Sequence, residues 1–179
     1  MKRDPGSVLR AGRDERQARP ADKAAASAKS KIAIGPASEA DLGAIVRIEK
    51  CAFGQDAWTR EAFLSYFAQP HRCVFLLAEK DGKHIGYVIG FFHREGRASV
   101  DSLAVLPAYR RRGVARALMK RLKRTLRRHG CITVSLAVRL DNAAAIDLYR
   151  QLGFRRDRRI NDYYEDGAPA WWMKASLAE

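Results

Sequence analysis

The sequence predicts an α/β domain: a mixed, mostly antiparallel sheet with one central parallel strand pair and flanking helices. Three observations predict it. Asp81-Gly82 and Glu95-Gly96 are tight turn pairs set between β-branched and aromatic runs, which makes residues 74–106 an antiparallel meander. The run from Ser99 ends at Pro107, passes a basic turn and enters an amphipathic helix. The apolar run CITVSLAV (residues 131–138) then follows. Such a strand–helix–strand unit crosses over right-handedly and lays its two strands parallel. Finally, residues 161–167 are a polar loop between two strand-like runs, so the chain closes on another hairpin.

Length and composition bound the organisation. The 179 residues fit one domain with a tail. Residues 1–30 are rich in Arg, Ala, Lys and Ser and hold few large side chains, so they read as a disordered basic tail. Residues 31–179 are the domain, and 47% hydrophobic residues suffice for its core. No apolar run approaches the ~18 residues of a membrane span, and the N-terminus has no apolar signal core, so no membrane association is expected. Cys51, Cys73 and Cys131 are scattered and odd in number. They make no metal or redox spacing and read as reduced thiols of a cytoplasmic protein, with no bound metal. The net charge of +14 implies attraction to polyanions: a phosphorylated cofactor, RNA or a ribosome surface.

The elements follow in order. Residues 31–34 read as a first strand, closed by Pro36. Ser38 and Asp41 make a capping box ahead of a helix with Leu42, Ile45, Val46 and Ile48 inward. Residues 51–58 read as a loop, and Thr59 caps a second helix bearing Phe63, Tyr66 and Phe67. The meander comes next, with Val100, Leu103, Val105 and Leu106 in its last strand. In the helix after the basic turn, Val114, Leu118, Leu122, Thr125 and Leu126 share one face, and basic residues fill the other. Asp141-Asn142 opens another helix with Ile146, Leu148, Tyr149 and Leu152 inward, and Gly153 stops it. Residues 154–160 and a run beginning at 170–173 are the last strands.

The turn before the central helix carries the chemistry. A strand leads into a tight turn and then into a helix N-terminus, whose unpaired N–H groups and dipole bind phosphate. Gly113 lets the backbone approach an anion closely, and Ala115 stays small. Arg110-x-x-Gly113-x-Ala115 resembles the R/Q-x-x-G-x-G/A signature of the GNAT acetyltransferases. Further on, Val138-Arg139-x-x-Asn142-Ala143-Ala144-Ala145-Ile146-x-Leu148-Tyr149-x-x-Leu152-Gly153-Phe154, then Tyr163-Tyr164 and an acidic Gly loop, resemble the RimI-type members. Those acetylate the N-terminal alanine of a ribosomal protein. The likeness extends from about Ile32 to Leu177 and includes Ile48-Glu49 and Trp58-Thr59-Arg60-Glu61-Ala62-Phe63.

That resemblance implies a GNAT fold, acetyl-CoA as cofactor and particular residue roles. The backbone of Leu103, Ala104 and Val105 would pair with the pantetheine arm, and an N–H there would stabilise the oxyanion. Arg111, Arg112, Gly113, Val114, Ala115 and Arg116 would wrap the pyrophosphate. Asn142 matches a cofactor-contacting asparagine, and it also suits the N-cap of its helix; the two are compatible. Tyr149 matches the acid that protonates coenzyme A sulfur, while read without the resemblance it is a core aromatic whose hydroxyl finds a partner.

The general base departs from the pattern. RimI-type enzymes place a glutamate where this chain has Ala137, and many GNATs place one where it has Ser99. Asp101, two residues from Ser99 and so on the same strand face, is the best remaining carboxylate, acting directly or through water. A weak base suits an α-amine. With a pKa near 8, roughly a tenth of it is neutral at pH 7, against fewer than about one lysine in a thousand. The expected acceptor is therefore a protein or peptide N-terminus, including that of a ribosomal protein. Tyr163 and Tyr164 would hydrogen-bond the peptide, and Asp162, Glu165 and Asp166 would attract its charge or form an ordinary solvated turn. Two alternatives remain open: acetylation of a small-molecule amine or a lysine, and a non-catalytic CoA- or RNA-binding module using the basic helix face. Either a monomer or a homodimer suits the sequence.

Overall fold

The computed structural model describes residues 31–178; the proposed disordered tail lies outside the described residues. The strands are β1 (Ala33–Pro36), β2 (Cys73–Lys80), β3 (Lys83–Phe92), β4 (Arg97–Val105), β5 (Thr133–Arg139), β6 (Arg155–Ile160) and β7 (Ala170–Ser176). The helices are α1 (Leu42–Phe53), α2 (Arg60–Phe67), α3 (Val114–Arg128) and α4 (Ala143–Gln151). They build one sheet in the order β1-β2-β3-β4-β5-β7-β6. Among the described strands, only β4 and β5 pair in parallel. The expected mixed α/β class is the observed one.

The turns form as their residues dictate. Asp81 and Gly82 have φ of 52° and 70°, and Glu95 and Gly96 have 60° and 64°, the left-handed pairs whose twist matches a hairpin. Thr59 accepts from the Ala62 N–H at 3.3 Å and starts α2. Two expectations need correction. The first strand runs Ala33–Pro36 and includes its proline, which is tolerated because β1 is the sheet edge. Residues 51–58 are only partly a loop: α1 continues through Cys51 to Phe53, and a 3₁₀ turn spans Gly54–Asp56. The helix continues because its inward face does, with Glu49 and Ala52 buried beyond Ile48.

Two apolar clusters clamp the sheet. On one face Leu42, Ile45 and Ile48 of α1 and Phe63 of α2 pack on Phe75, Tyr87 and Ile89. On the other, Leu118, Met119, Leu122 and Leu126 of α3 cover Val88, Val100, Leu103, Val134 and Leu136. Each such large side chain removed from water contributes ~1.5–3 kcal/mol. These clusters hold the sheet rigid at its one opening. β4 and β5 pair only through Arg97 with Thr133, Ala98 with Val134 and Ser99 with Ser135. Beyond that rung both strands continue, but apart.

A bulge sits beside the opening. Ile89 pairs with Ser102, whereas Gly90 pairs with Val100, so Asp101 is an extra residue in β4. The bulge brings Ser99, Asp101 and Ser102 to the α1/α2 face, where their hydroxyl and carboxylate partners lie.

Close packing behind β4 is tested at glycine. A methyl on Gly86 would stand 2.8 Å from the Ala104 carbonyl oxygen and 3.1 Å from Val105 Cγ2. Gly86→Ala is therefore expected to lose ~1–3 kcal/mol by urea unfolding. Gly35→Ala, whose methyl meets nothing within 4 Å, should stay within about 0.5 kcal/mol of the parent. Equal midpoints for the two variants would contradict this packing.

Candidate active site

The site begins at the turn into α3. Arg111 and Gly113 both adopt left-handed conformations, at φ 59° and 82°. Left-handed residues in such a turn curl successive N–H groups toward one point. No side chain caps α3, so its first-turn N–H groups keep their donors for an anion. A Cβ on Gly113 would meet nothing within 4 Å, which leaves open space over the turn. Arg111 and Arg112 are exposed there, Arg112 lying 5.9 Å over the ring of Tyr109. These residues fit a pyrophosphate.

Two arginines are otherwise engaged. Arg110, the first residue of the motif, bonds the Val105 carbonyl at 3.2 Å and the Ala52 carbonyl at 3.4 Å, tying the turn to β4 and the end of α1. The Arg116 guanidinium bonds the Gln151 side chain of α4, while its backbone N–H belongs to the first turn of α3. Val114 is buried and Ala115 is half-buried beneath the turn.

The slot between β4 and β5 leads away from this cradle. Leu103, Ala104 and Val105 line it, all buried. Their β3 partners Val88, Tyr87 and Gly86 occupy only one edge of β4. The other edge faces the gap, except that the Val105 carbonyl is already held by Arg110. At the far end of β5, Asn142 caps α4 by accepting from the Ala145 N–H at 3.0 Å.

Acid and base candidates flank the slot from opposite faces. Tyr149 of α4 belongs to the α3-side cluster, with its ring 5.8 Å from Phe154. Burial, and then the neighbouring Tyr164, push its hydroxyl well above the usual tyrosine range. That direction favours the protonated hydroxyl, which has a proton to donate. Asp101 lies on the α1/α2 face and is fully buried. Tyr66 donates to its Oδ2 at 2.9 Å and Ser99 to its Oδ1 at 2.5 Å.

Sequence reasoning missed a second buried carboxylate on the same face. Glu49 accepts from the Trp58 backbone N–H at 2.8 Å and from the Tyr87 hydroxyl, and Tyr87 in turn meets Ser102 Oγ at 2.8 Å. A signal was present, since Glu49 falls on the inward stripe with Leu42 and Ile45. Its partners make it the clamp that shapes the α1–α2 turn. Tyr66 carried the same kind of signal, on the inward face of α2 with Phe63.

Arg139, at the end of β5, ties down the hairpin between β6 and β7. Its Nη2 bonds Asp166 Oδ2 at 2.9 Å, its Nε lies 3.5 Å from Asp141, and its guanidinium sits 5.0 Å over the Tyr164 ring. The Arg139 bond, then the Ala168 N–H, hold the Asp166 carboxyl below the usual range. Asp166 is thus committed to the hairpin, and Asp162 and Glu165 remain exposed.

A sheet split beside a helix start that can receive an anion is the layout expected of an acyltransferase that takes its acyl group from a CoA thioester. The chain belongs to the acetyltransferase (GNAT) family, whose model matches residues 42–154. It is 35% identical over 150 residues to the N-alpha-acetyltransferase RimI of Mycobacterium tuberculosis, covering 80% of this chain and 91% of that one. It is 30% identical over 149 residues to an N-alpha-acetyltransferase of Sulfurisphaera tokodaii, covering 76% and 88%. The crystal structure of the ribosomal-protein-S18-alanine N-acetyltransferase from Escherichia coli superposes with a TM-score of 0.75 at 32% identity, covering 83% of this chain and 96% of the other.

The cradle makes a prediction. Gly113→Glu sets a carboxylate against the pyrophosphate, and calorimetry should find acetyl-CoA binding abolished. Gly113→Ala carries the same left-handed strain, on the order of 1 kcal/mol, without the charge, and should still bind. Unchanged affinity in folded Gly113→Glu would remove the pyrophosphate from this turn.

Proposed function

We propose that the protein acetylates the α-amine at the N-terminus of a protein, drawing the acetyl group from acetyl-CoA, with Asp101 as base and Tyr149 as acid. The observation that carries this reading is the pair of groups flanking the slot: a hydroxyl that keeps its proton and a buried, doubly hydrogen-bonded carboxylate. The proton count requires both. An α-ammonium carries three protons. The amide keeps one, the thiol takes one, and one leaves for solvent. Asp101 takes the proton that makes the amine nucleophilic. Nitrogen then bonds the acetyl carbon as the carbon–sulfur bond breaks, and Tyr149 supplies sulfur with a proton that the new amide nitrogen replaces. A tyrosine proton moves to a thiolate only uphill, so transfer concerted with bond cleavage is favoured.

The acceptor follows from the chemistry of the base. Ala137 and Ser99 offer no carboxylate, and a single buried aspartate suits an amine that is partly neutral at pH 7. The N-alpha-acetyltransferases at 30% and 35% identity support an α-amine over a lysine or a small amine. A ribosomal protein N-terminus is the favoured acceptor. The likeness to the Escherichia coli enzyme supports it, and so does the exposed basic face of α3 at Lys120, Arg124 and Arg128, which suits a ribosome surface. The three free thiols agree with work in a reducing cytoplasm.

A peptide library read by site-resolved mass spectrometry tests the acceptor. Acetyl groups are expected on free α-amines, and preferential labelling of internal lysines would defeat the assignment. Tyr149→Phe should lower kcat by about a hundredfold or more while leaving cofactor affinity within about twofold. A variant with nearly the parent rate in single turnover would end the acid role.

A further inference from the structure

The outer edge of the sheet carries charge that neither the core nor the proposed reaction uses. β6 is that edge, and its sequence, Arg155-Arg156-Asp157-Arg158-Arg159-Ile160, holds four arginines and one acid. All five charged residues are exposed. Resting on the ribosomal reading above for the choice of polyanion, we infer that this edge is an RNA-binding surface whose arginines take the phosphodiester backbone.

A bulge spreads the arginines over both sides of the edge. Arg156 pairs with Met173 and Arg158 with Trp172, so Asp157 is an extra residue between them. Trp171 and Trp172 are successive in β7 and point to opposite faces of the sheet. The Arg156 guanidinium lies 4.7 Å over the Trp171 ring, and that of Arg158 lies 5.5 Å over Trp172. Stacking holds each guanidinium plane in place and leaves N–H groups at its rim to donate to phosphate.

Acids do not neutralise the cluster. Asp157 is shared between Lys174 Nζ, at 3.0 Å, and Arg158 Nη1, at 3.5 Å. Among the described residues, no carboxylate pairs with Arg155, Arg156 or Arg159. Arg155 stands directly opposite Lys174, a like-charge pair that costs the sheet stability. Beside the end of α4, a groove of about 480 Å³ is lined by Arg150, Phe154, Arg155 and Arg156. Arg150 has only a loose ion pair there, 3.8 Å from Asp147, with both side chains well exposed.

Charge on an edge strand also keeps other strands off. That role needs charge at one or two positions. It calls for neither stacked indoles nor a groove lined by three like charges. A second copy of this edge would be repelled by the same arginines. An extended polyanion, in contrast, meets both faces of the edge and the groove together. RNA is the polyanion that surrounds a ribosomal protein, the proposed acceptor.

Fluorescence anisotropy of a labelled single-stranded RNA, titrated with the full chain in the absence of acetyl-CoA and peptide, tests the surface. Arg155→Gln/Arg156→Gln should weaken binding on the order of tenfold at low salt, and flatten the slope of log K against log salt by about 1.4, as two lost phosphate contacts require. Arg155→Lys/Arg156→Lys should keep the parent slope. Lys120→Gln/Arg124→Gln on α3 removes the same charge and should stay within about threefold of the parent. Acetylation of a free peptide should be unchanged in the β6 glutamine pair and its melting temperature no lower, which separates a lost surface from a lost fold. Unchanged RNA affinity in that pair, or equal losses from the β6 and α3 pairs, would overturn the site. So would tighter binding of the parent to DNA of the same sequence or to phosphatidylserine vesicles. The acceptor assignment is judged apart, by the peptide library, since the RNA titration contains no acceptor.

Discussion

The structure depends on one interruption: β4 and β5 stop pairing after Ser99 meets Ser135. Parallel strands normally continue their ladder, because unpaired backbone groups inside a sheet are costly. Here the ladder is given up where a ligand can complete it, and the α3-side and α1/α2-side clusters keep the two strands from closing. Everything functional is arranged along that gap. The anion cradle lies at the end of β4, the tyrosine comes from one face and the aspartate from the other. In the proposed reaction the amine approaches from the α1/α2 face and the leaving sulfur takes its proton from the α4 side.

The bulge at Asp101 is the second consequence. In a regular strand the residue at 102 would face α3. The extra residue at 101 turns Ser102 instead toward Tyr87 and Glu49, and leaves Asp101 between Tyr66 and Ser99. Two polar systems thus sit side by side under α1 and α2, one shaping the α1–α2 turn and one holding the proposed base. The resemblance places a glutamate where this chain has Ala137. Ala137 is 1% exposed and pairs across the sheet with Trp172, whose ring lies 5.5 Å from the Arg158 guanidinium. The indole stands beside the position a longer side chain would need.

Much of this was legible in the sequence, because the relevant signals are local. Asp81-Gly82, Glu95-Gly96, Thr59, Asn142 and Gly153 each dictate a turn or cap through their own backbone chemistry, and α3 announces its inward face by spacing. The cradle was legible too, since Gly113 with φ of 82° is required by the turn itself. What stayed hidden depends on register. Nothing in the run Ser99 to Val105 marks a bulge, so the meeting of Asp101 with Tyr66, 35 positions away, cannot be read from it. The bonds from Arg116 to Gln151 and from Arg139 to Asp166 are likewise tertiary, and no local pattern announces them.

The central claim is that a buried aspartate at the bulge deprotonates the amine. The most direct measurement is the pH dependence of kcat/KM for Asp101→Asn against the parent enzyme, on a peptide with one free α-amine. The amide is nearly isosteric and can still accept from Tyr66, so the fold should hold. Below the amine's pKa, near 8, the variant should be strongly impaired. Above it the substrate arrives neutral without help, and the two rates should converge. A pair of profiles differing by a constant factor across the whole range, or not at all, would contradict the assignment of Asp101.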